Sequence, residues 1–135
     1  MQVTRLEQFV PHLRIEYSKG LEDRIDMNQV CRKLSAAMMK SGIFPLGGIR
    51  VRAFATDAFT VSDDHRDNSF VDLVLRLGEG RTIEEKQISG NRIFETCKEI
   101  FKSELDKPHF ALSLEFVEIN SSVSWKLNTM HERLS

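Results

Sequence analysis

Apolar and polar positions alternate with a period of two in four stretches of the chain, and recur at helical spacing in two others. The first alternating stretch runs from Val10 to Tyr17 and includes a proline at its start. Leu13, Ile15 and Tyr17 fall on one face and His12, Arg14 and Glu16 on the other. Proline suits the opening of a strand because it cannot donate to the ladder from inside one. A helical stretch follows from Met27 to about Ser41, where Met27, Val30, Cys31, Leu34 and Met38 share a face. Asp26 and Gln29 make a capping-box pattern at its start, and Gly42 supplies the stop. Ile49 to about Ala55 alternates again, with Ile49, Val51 and Ala53 opposed to Arg50, Arg52 and Phe54.

The polar segment Asp57 to Ser69 predicts a surface loop joining two halves. Phe70 to Leu77 is the third strand, with Val71, Leu73, Leu75 and Leu77 on its apolar face, and Gly78-Glu79-Gly80 ends it. Thr82 and Glu85 form a second capping box, opening a long helix to about Leu105. Its expected buried side is Ile83, Ile93, Phe94, Cys97, Phe101 and Leu105. Gly90 inside it costs roughly 1 kcal/mol against alanine, which is understandable if the helix backbone packs closely on a sheet. After Pro108, Ala111 to Ile119 is the fourth strand, with Leu112, Leu114 and Phe116 inward. In the mixed tail from Asn120, Val123, Trp125 and Leu127 allow a short edge strand, one that could extend a neighbouring copy.

The order is β-α-β twice over, an α+β chain with a four-stranded sheet and two helices on one face. The two halves match as units, which suggests an old duplication. A ferredoxin-like split β-α-β sandwich and a tautomerase-type unit with parallel strands within each half both fit, and periodicity does not choose between them. Either leaves one face of the sheet uncovered, so a homo-oligomer is expected.

Composition narrows the function classes. At 135 residues, with 41% hydrophobic and 29% charged content, the chain reads as one soluble domain. Nineteen basic against twenty acidic residues give a net charge of -1, so no nucleic-acid or membrane partner is expected. The apolar runs are too short to span a bilayer, and residues 1–10 lack the apolar core of a secretory signal. A cytoplasmic protein is the expectation. Cys31 and Cys97 sit on helical stripes and read as small core residues.

Arg50 and Arg52, two apart on a strand, leave the same face, and paired guanidinium forks suit carboxylates. Arg81 stands just before a helix N-terminus, where a cation is disfavoured unless an anion also docks there. A metal site drawn from Asp63, Asp64, His65 and Asp67 is not expected, because adjacent polar residues in a flexible loop rarely make a ligand cage. His12 and His109, each next to a proline, read as surface or strand-edge residues. There is no nucleophile elbow, phosphate-binding glycine loop or Cys-x-x-Cys.

The stretches VPHLRIEYS, SGIFPLGGIRVR and FVDLVLRLGEGRTIEEKQ resemble the 5-carboxymethyl-2-hydroxymuconate delta-isomerases of the tautomerase superfamily. The resemblance runs from Pro11 to about Asn120 without a gap between Pro11, Arg50 and Arg81. It implies that Pro11 is the catalytic amino-terminal proline and that Arg50 and Arg81 bind substrate. Arg52 is a supporting candidate through its shared face with Arg50. It further implies a trimer of chains with two β-α-β units each, acting without metal or cofactor. The expected substrate is a di- or tricarboxylate dienol of homoprotocatechuate breakdown, within aromatic catabolism.

That role needs a free proline amine, and in the chain as written Val10 acylates it. The favoured expectation is that Val10 marks an alternative start codon, so that residues 1–10 are an extension in front of a tautomerase-like domain over 11–135. The alternative is a native extension on a non-catalytic ligand-binding or scaffold relative.

Overall fold

The structure is a computed structural model that describes residues 11–134. The expected extension, residues 1–10, lies outside the described residues. Strand β1 (His12–Ser18) leads through a short 3-10 turn, Leu21–Asp23, into helix α1 (Met27–Lys40). Strand β2 (Arg50–Thr56) completes the first half. The second half is β3 (Ser69–Leu77), α2 (Ile83–Ile100), the short α3 (Lys102–Leu105) and β4 (Phe110–Glu118), followed by α4 (Met130–Leu134) in the tail.

The sheet order is β2-β1-β3-β4. β1 pairs parallel with β2, β3 pairs parallel with β4, and the halves join antiparallel through β1 and β3. Parallel pairing within each half decides between the two architectures left open by periodicity: the tautomerase-type unit is correct. A sheet of antiparallel neighbours throughout is excluded.

Alternation drives the core as expected. Leu13, Ile15, Leu73 and Leu75 are fully buried and meet in register, Leu13 opposite Leu75 and Ile15 opposite Leu73. Val30, Leu34 and Met38 of α1 and Ile93, Cys97 and Phe101 of the α2 region cover them. Each such side chain contributes about 1.5–3 kcal/mol by leaving water. Both helices lie on this one face; the other face carries His12, Arg14, Glu16, Arg50, Arg52, Asp72 and Arg76.

The helix signals resolve locally. Asp26 accepts from the Asn28 and Gln29 amides at 3.0 and 3.4 Å, but no returning bond from the Gln29 side chain completes a box among the described residues. Thr82 and Glu85 do make the reciprocal pair, at 3.1 and 2.9 Å. Gly42 adopts φ 75 just past α1, the left-handed stop expected of it.

Four expectations need correction. The second helix does not run unbroken to Leu105: the backbone leaves helical geometry at Phe101, φ -100 and ψ 19, and resumes as α3. Ile83 and Leu105 are therefore not on the buried side. Ile83 is 69% exposed in the first turn, ahead of the Ser89–Ile93–Cys97 stripe that meets the sheet, and Leu105 lies beyond the break. Gly90 is not forced by close packing, since a methyl there would meet the Phe116 ring at 3.6 Å, an ordinary contact. Within its own chain the tail forms no edge strand. Its 3-10 turn Ser121–Val123 leads to an extended run in which Trp125 is 87% and Leu127 94% exposed. Ser121 N–H donates to Glu79, and the Asn128 amide donates to the Gly47 carbonyl, so the tail crosses one end of the sheet.

Candidate active site

Pro11, Arg50 and Arg81 belong to the same end of the sheet. Pro11 precedes β1, Arg50 opens the parallel β2, and Arg81 follows the C-terminal end of the antiparallel β3. Pro11 is buried, and its carbonyl accepts the Arg50 N–H at 3.1 Å, which carries the β1–β2 ladder one residue beyond the strand.

Arg81 is held from three sides. Its Nη2 donates to the Ile43 carbonyl at 2.8 Å, its Nη1 donates to the Gly78 carbonyl at 3.2 Å, and its guanidinium lies 5.1 Å from the Phe44 ring centre. Gly80, at φ 110, makes the backbone turn that brings the arginine there. Burial lowers the Arg81 pKa, and nearby Glu85 raises it. The Glu85 carboxylate and the two carbonyls thus offset the unfavourable placement of a cation at a helix N-terminus.

Arg50 and Arg52 share a face, as alternation requires, but it is not the face of Pro11. Arg50 stands opposite His12 in the register, whereas Pro11 keeps step with Leu13 on the helix-covered side. A single chain brings Pro11 and Arg81 to one end and sends the Arg50 and Arg52 side chains off the uncovered face. Arg50, Arg52 and Arg76 have no acidic partner among the described residues, while Arg14 lies 5.6 Å from the Phe54 ring centre.

His12 reports the field at this end. Its pKa is lowered to about 4, first by burial and then by Arg50, Arg76, Arg52 and Lys126. Its Nε2 is shielded from solvent without a hydrogen-bond partner. The sequence makes His12 a surface or strand-edge residue and does not single out Arg76 or Lys126. Arg76 was visible as an outward position on β3. Lys126 was not, because only the returning tail brings it near His12. His65, Asp67 and His109 lie apart from these residues, at the opposite end of the sheet.

Residues 11–134 match the 5-carboxymethyl-2-hydroxymuconate isomerase family. The chain is 31% identical over 122 residues to the 5-carboxymethyl-2-hydroxymuconate Delta-isomerase of Escherichia coli, covering 90% of this chain and 97% of that one. A crystal structure of a 5-carboxymethyl-2-hydroxymuconate isomerase from Deinococcus radiodurans R1 superposes with a TM-score of 0.87 at 32% identity, over 93% of this chain and 95% of that one. A second delta-isomerase structure gives 0.86 at 27% identity, over 95% of each chain. The fold also resembles a fused 4-OT symmetric trimer, at a TM-score of 0.57 and 18% identity, covering 80% of this chain and 86% of that one. Parallel β-α-β halves thus agree with the match along the chain, which belongs to the 5-carboxymethyl-2-hydroxymuconate isomerase family of the tautomerase superfamily.

Proposed function

We propose that the protein moves a double bond in a carboxylated 2-hydroxymuconate by proton transfer through Pro11, as a cytoplasmic homotrimer. The observation that carries this reading is the gathering of buried Pro11, anchored Arg81 and the Arg50 backbone at one sheet end. With its nitrogen free, Pro11 takes the proton of the enol hydroxyl. The electron pair shifts along the diene, and the proton returns to carbon. A model α-amino group titrates at about 7.7–8.0, and both burial and neighbouring cations disfavour its ammonium form. Pro11 is buried, and Arg81 stands at the same end of the sheet. The neutral amine is then available as a base, and arginine forks hold the carboxylates and stabilise the dienolate.

Because the Arg50 side chain leaves the face opposite Pro11, Arg50 and Arg52 serve a site on a neighbouring copy. The open edges β2 and β4, the uncovered sheet face and the exposed tail support an assembly that buries them.

The test compares dienol ketonisation by the 135-residue chain and by a chain beginning at Pro11. The shorter chain is expected to be at least about a hundredfold faster, and Arg81→Ala within it to lose about 10²–10³ in kcat/KM. Equal, negligible rates in both chains would overturn the enzyme mechanism. They would favour the second reading, a ligand-binding relative, to which the Val10–Pro11 amide points.

A further inference from the structure

The end of the sheet remote from Pro11 brings together side chains from two separate segments. The loop before β3 supplies His65, Asp67 and Asn68, and the start of β4 supplies His109. Asn68 fixes the chemistry of His109. Its Nδ2 donates to the Val61 carbonyl at 3.0 Å and to Asp63 Oδ1 at 2.7 Å. Both partners accept only, so the amide oxygen is the atom that faces His109 Nδ1 at 3.0 Å. His109 Nδ1 must then carry the proton, which leaves the Nε2 lone pair available to a ligand.

His65 stacks on His109 with ring centres 4.4 Å apart and planes at 26°. Its Nδ1 accepts the Asp67 N–H at 3.1 Å and lies 3.9 Å from Asp67 Oδ2. One ligand atom from each of His65, Asp67 and His109 falls within 4.8 Å of the others. The loop is tied in place by Asp64 N–H to the Val61 carbonyl at 2.8 Å and Asn68 N–H to the His65 carbonyl at 2.9 Å.

We propose that His65, Asp67 and His109 bind one divalent transition-metal ion, zinc being the best-suited occupant, away from the isomerase site. Two imidazoles and a carboxylate are a borderline donor set that favours zinc, nickel or copper over calcium and magnesium, which require mainly oxygen. Zinc–nitrogen bonds of about 2.0–2.1 Å draw the three atoms closer together. That needs only rotation of the exposed His65 and Asp67 side chains, with the ion taking the His65 lone pair now offered to the Asp67 N–H. Three protein ligands leave a fourth position. His109 and Asp67 border a hollow of about 520 Å³, also lined by Arg24, Lys107 and Ser18, which gives that position room. Arg66, 4.0 Å from Asp67, opposes the ion's charge, and Asp63 beside Asn68 offsets it. Affinity in the micromolar range is therefore the expectation.

The experiment is calorimetric titration of zinc chloride into the chelator-treated, untagged full chain, with cobalt(II) visible absorption as a second readout. One zinc per chain is expected, together with the intense cobalt bands of a tetrahedral site. His65→Ala and His109→Ala should each weaken binding at least tenfold. Asn68→Ala should weaken it about 10–100-fold by releasing the His109 tautomer, and Cys31→Ser should leave it unchanged. Circular dichroism confirms that each variant is folded. Equal zinc affinity in the wild type and the His65→Ala/His109→Ala double variant would overturn the site, as would wild-type affinity no tighter than millimolar.

Discussion

Glu104, with a side chain 5% exposed, receives Arg24 through bonds of 3.1 and 2.9 Å and has Lys107 at 3.6 Å. The Arg24 bond holds its carboxyl below the usual range, against the opposing effect of burial. Removing the charge by Glu104→Gln should cost about 1–2 kcal/mol at pH 7, because Arg24 is 45% exposed and solvent screens the pair. Since the folded-state pKa is depressed, this stabilisation is complete above the unfolded value near 4.5 and is lost as pH falls through the folded one. Urea unfolding of wild type and variant should accordingly converge in acid; a gap that persists unchanged at pH 3 would remove the charge from the explanation. The pair could not be read from the sequence, because eighty positions separate its members. The Thr82–Glu85 box could, because capping is decided within one turn. Resemblance offers Pro11, Arg50 and Arg81 as a set, and the fold puts all three at one end of the sheet. That Arg50 points away from Pro11 is implicit in the same alternation, since Pro11 keeps step with Leu13 and Arg50 is opposed to Val51, and the register of β1 with β2 makes it explicit.

Among the helices, periodicity gave existence and facing but not ends. The stripe Val30–Leu34–Met38 and its counterpart Ile93–Cys97 pack as alternation and helical spacing require, while the break at Phe101 left no mark in the apolar pattern. Two glycines separate propensity from fit. At Gly90 a methyl finds ordinary contact at 3.6 Å, so Gly90→Ala should stabilise the fold by up to about 1 kcal/mol, measured by denaturant midpoint. At Gly47 the same methyl would lie 2.7 Å from His131 Nδ1 and 3.1 Å from its Cα. Gly47→Ala should push α4 off the Leu46–Gly48 turn, detected as faster proteolysis after Asn120 with little change in resistance elsewhere. If Gly90→Ala destabilises while Gly47→Ala leaves the tail protected, the packing described for both is wrong.

For the whole molecule, a proposed site shared between copies makes a prediction that a site within one chain does not. On the chain beginning at Pro11, Pro11→Ala and Arg50→Ala assemblies should each be nearly inactive. After dissociation and random remixing in equal amounts, about a quarter of the sites regain an intact pair if closed symmetry pairs each proline with a neighbour's arginine. No recovery, with mixed assemblies confirmed by native mass spectrometry, would return both residues to one chain. The parallel pairing of each half and the antiparallel seam between β1 and β3 bear on this count as well. A half-turn about the seam carries one half onto the other and exchanges the two ends of the sheet. His12, on the open face opposite Arg50, then has its counterpart on the open face at the start of β3, and Pro11 has its own on the helix-covered face next to Asn68. Each chain therefore has two equivalent mouths but only one, at Pro11, whose proline nitrogen the proposed mechanism uses, which sets its turnover stoichiometry at one and leaves the mouth around Asn68 free to drift toward other chemistry.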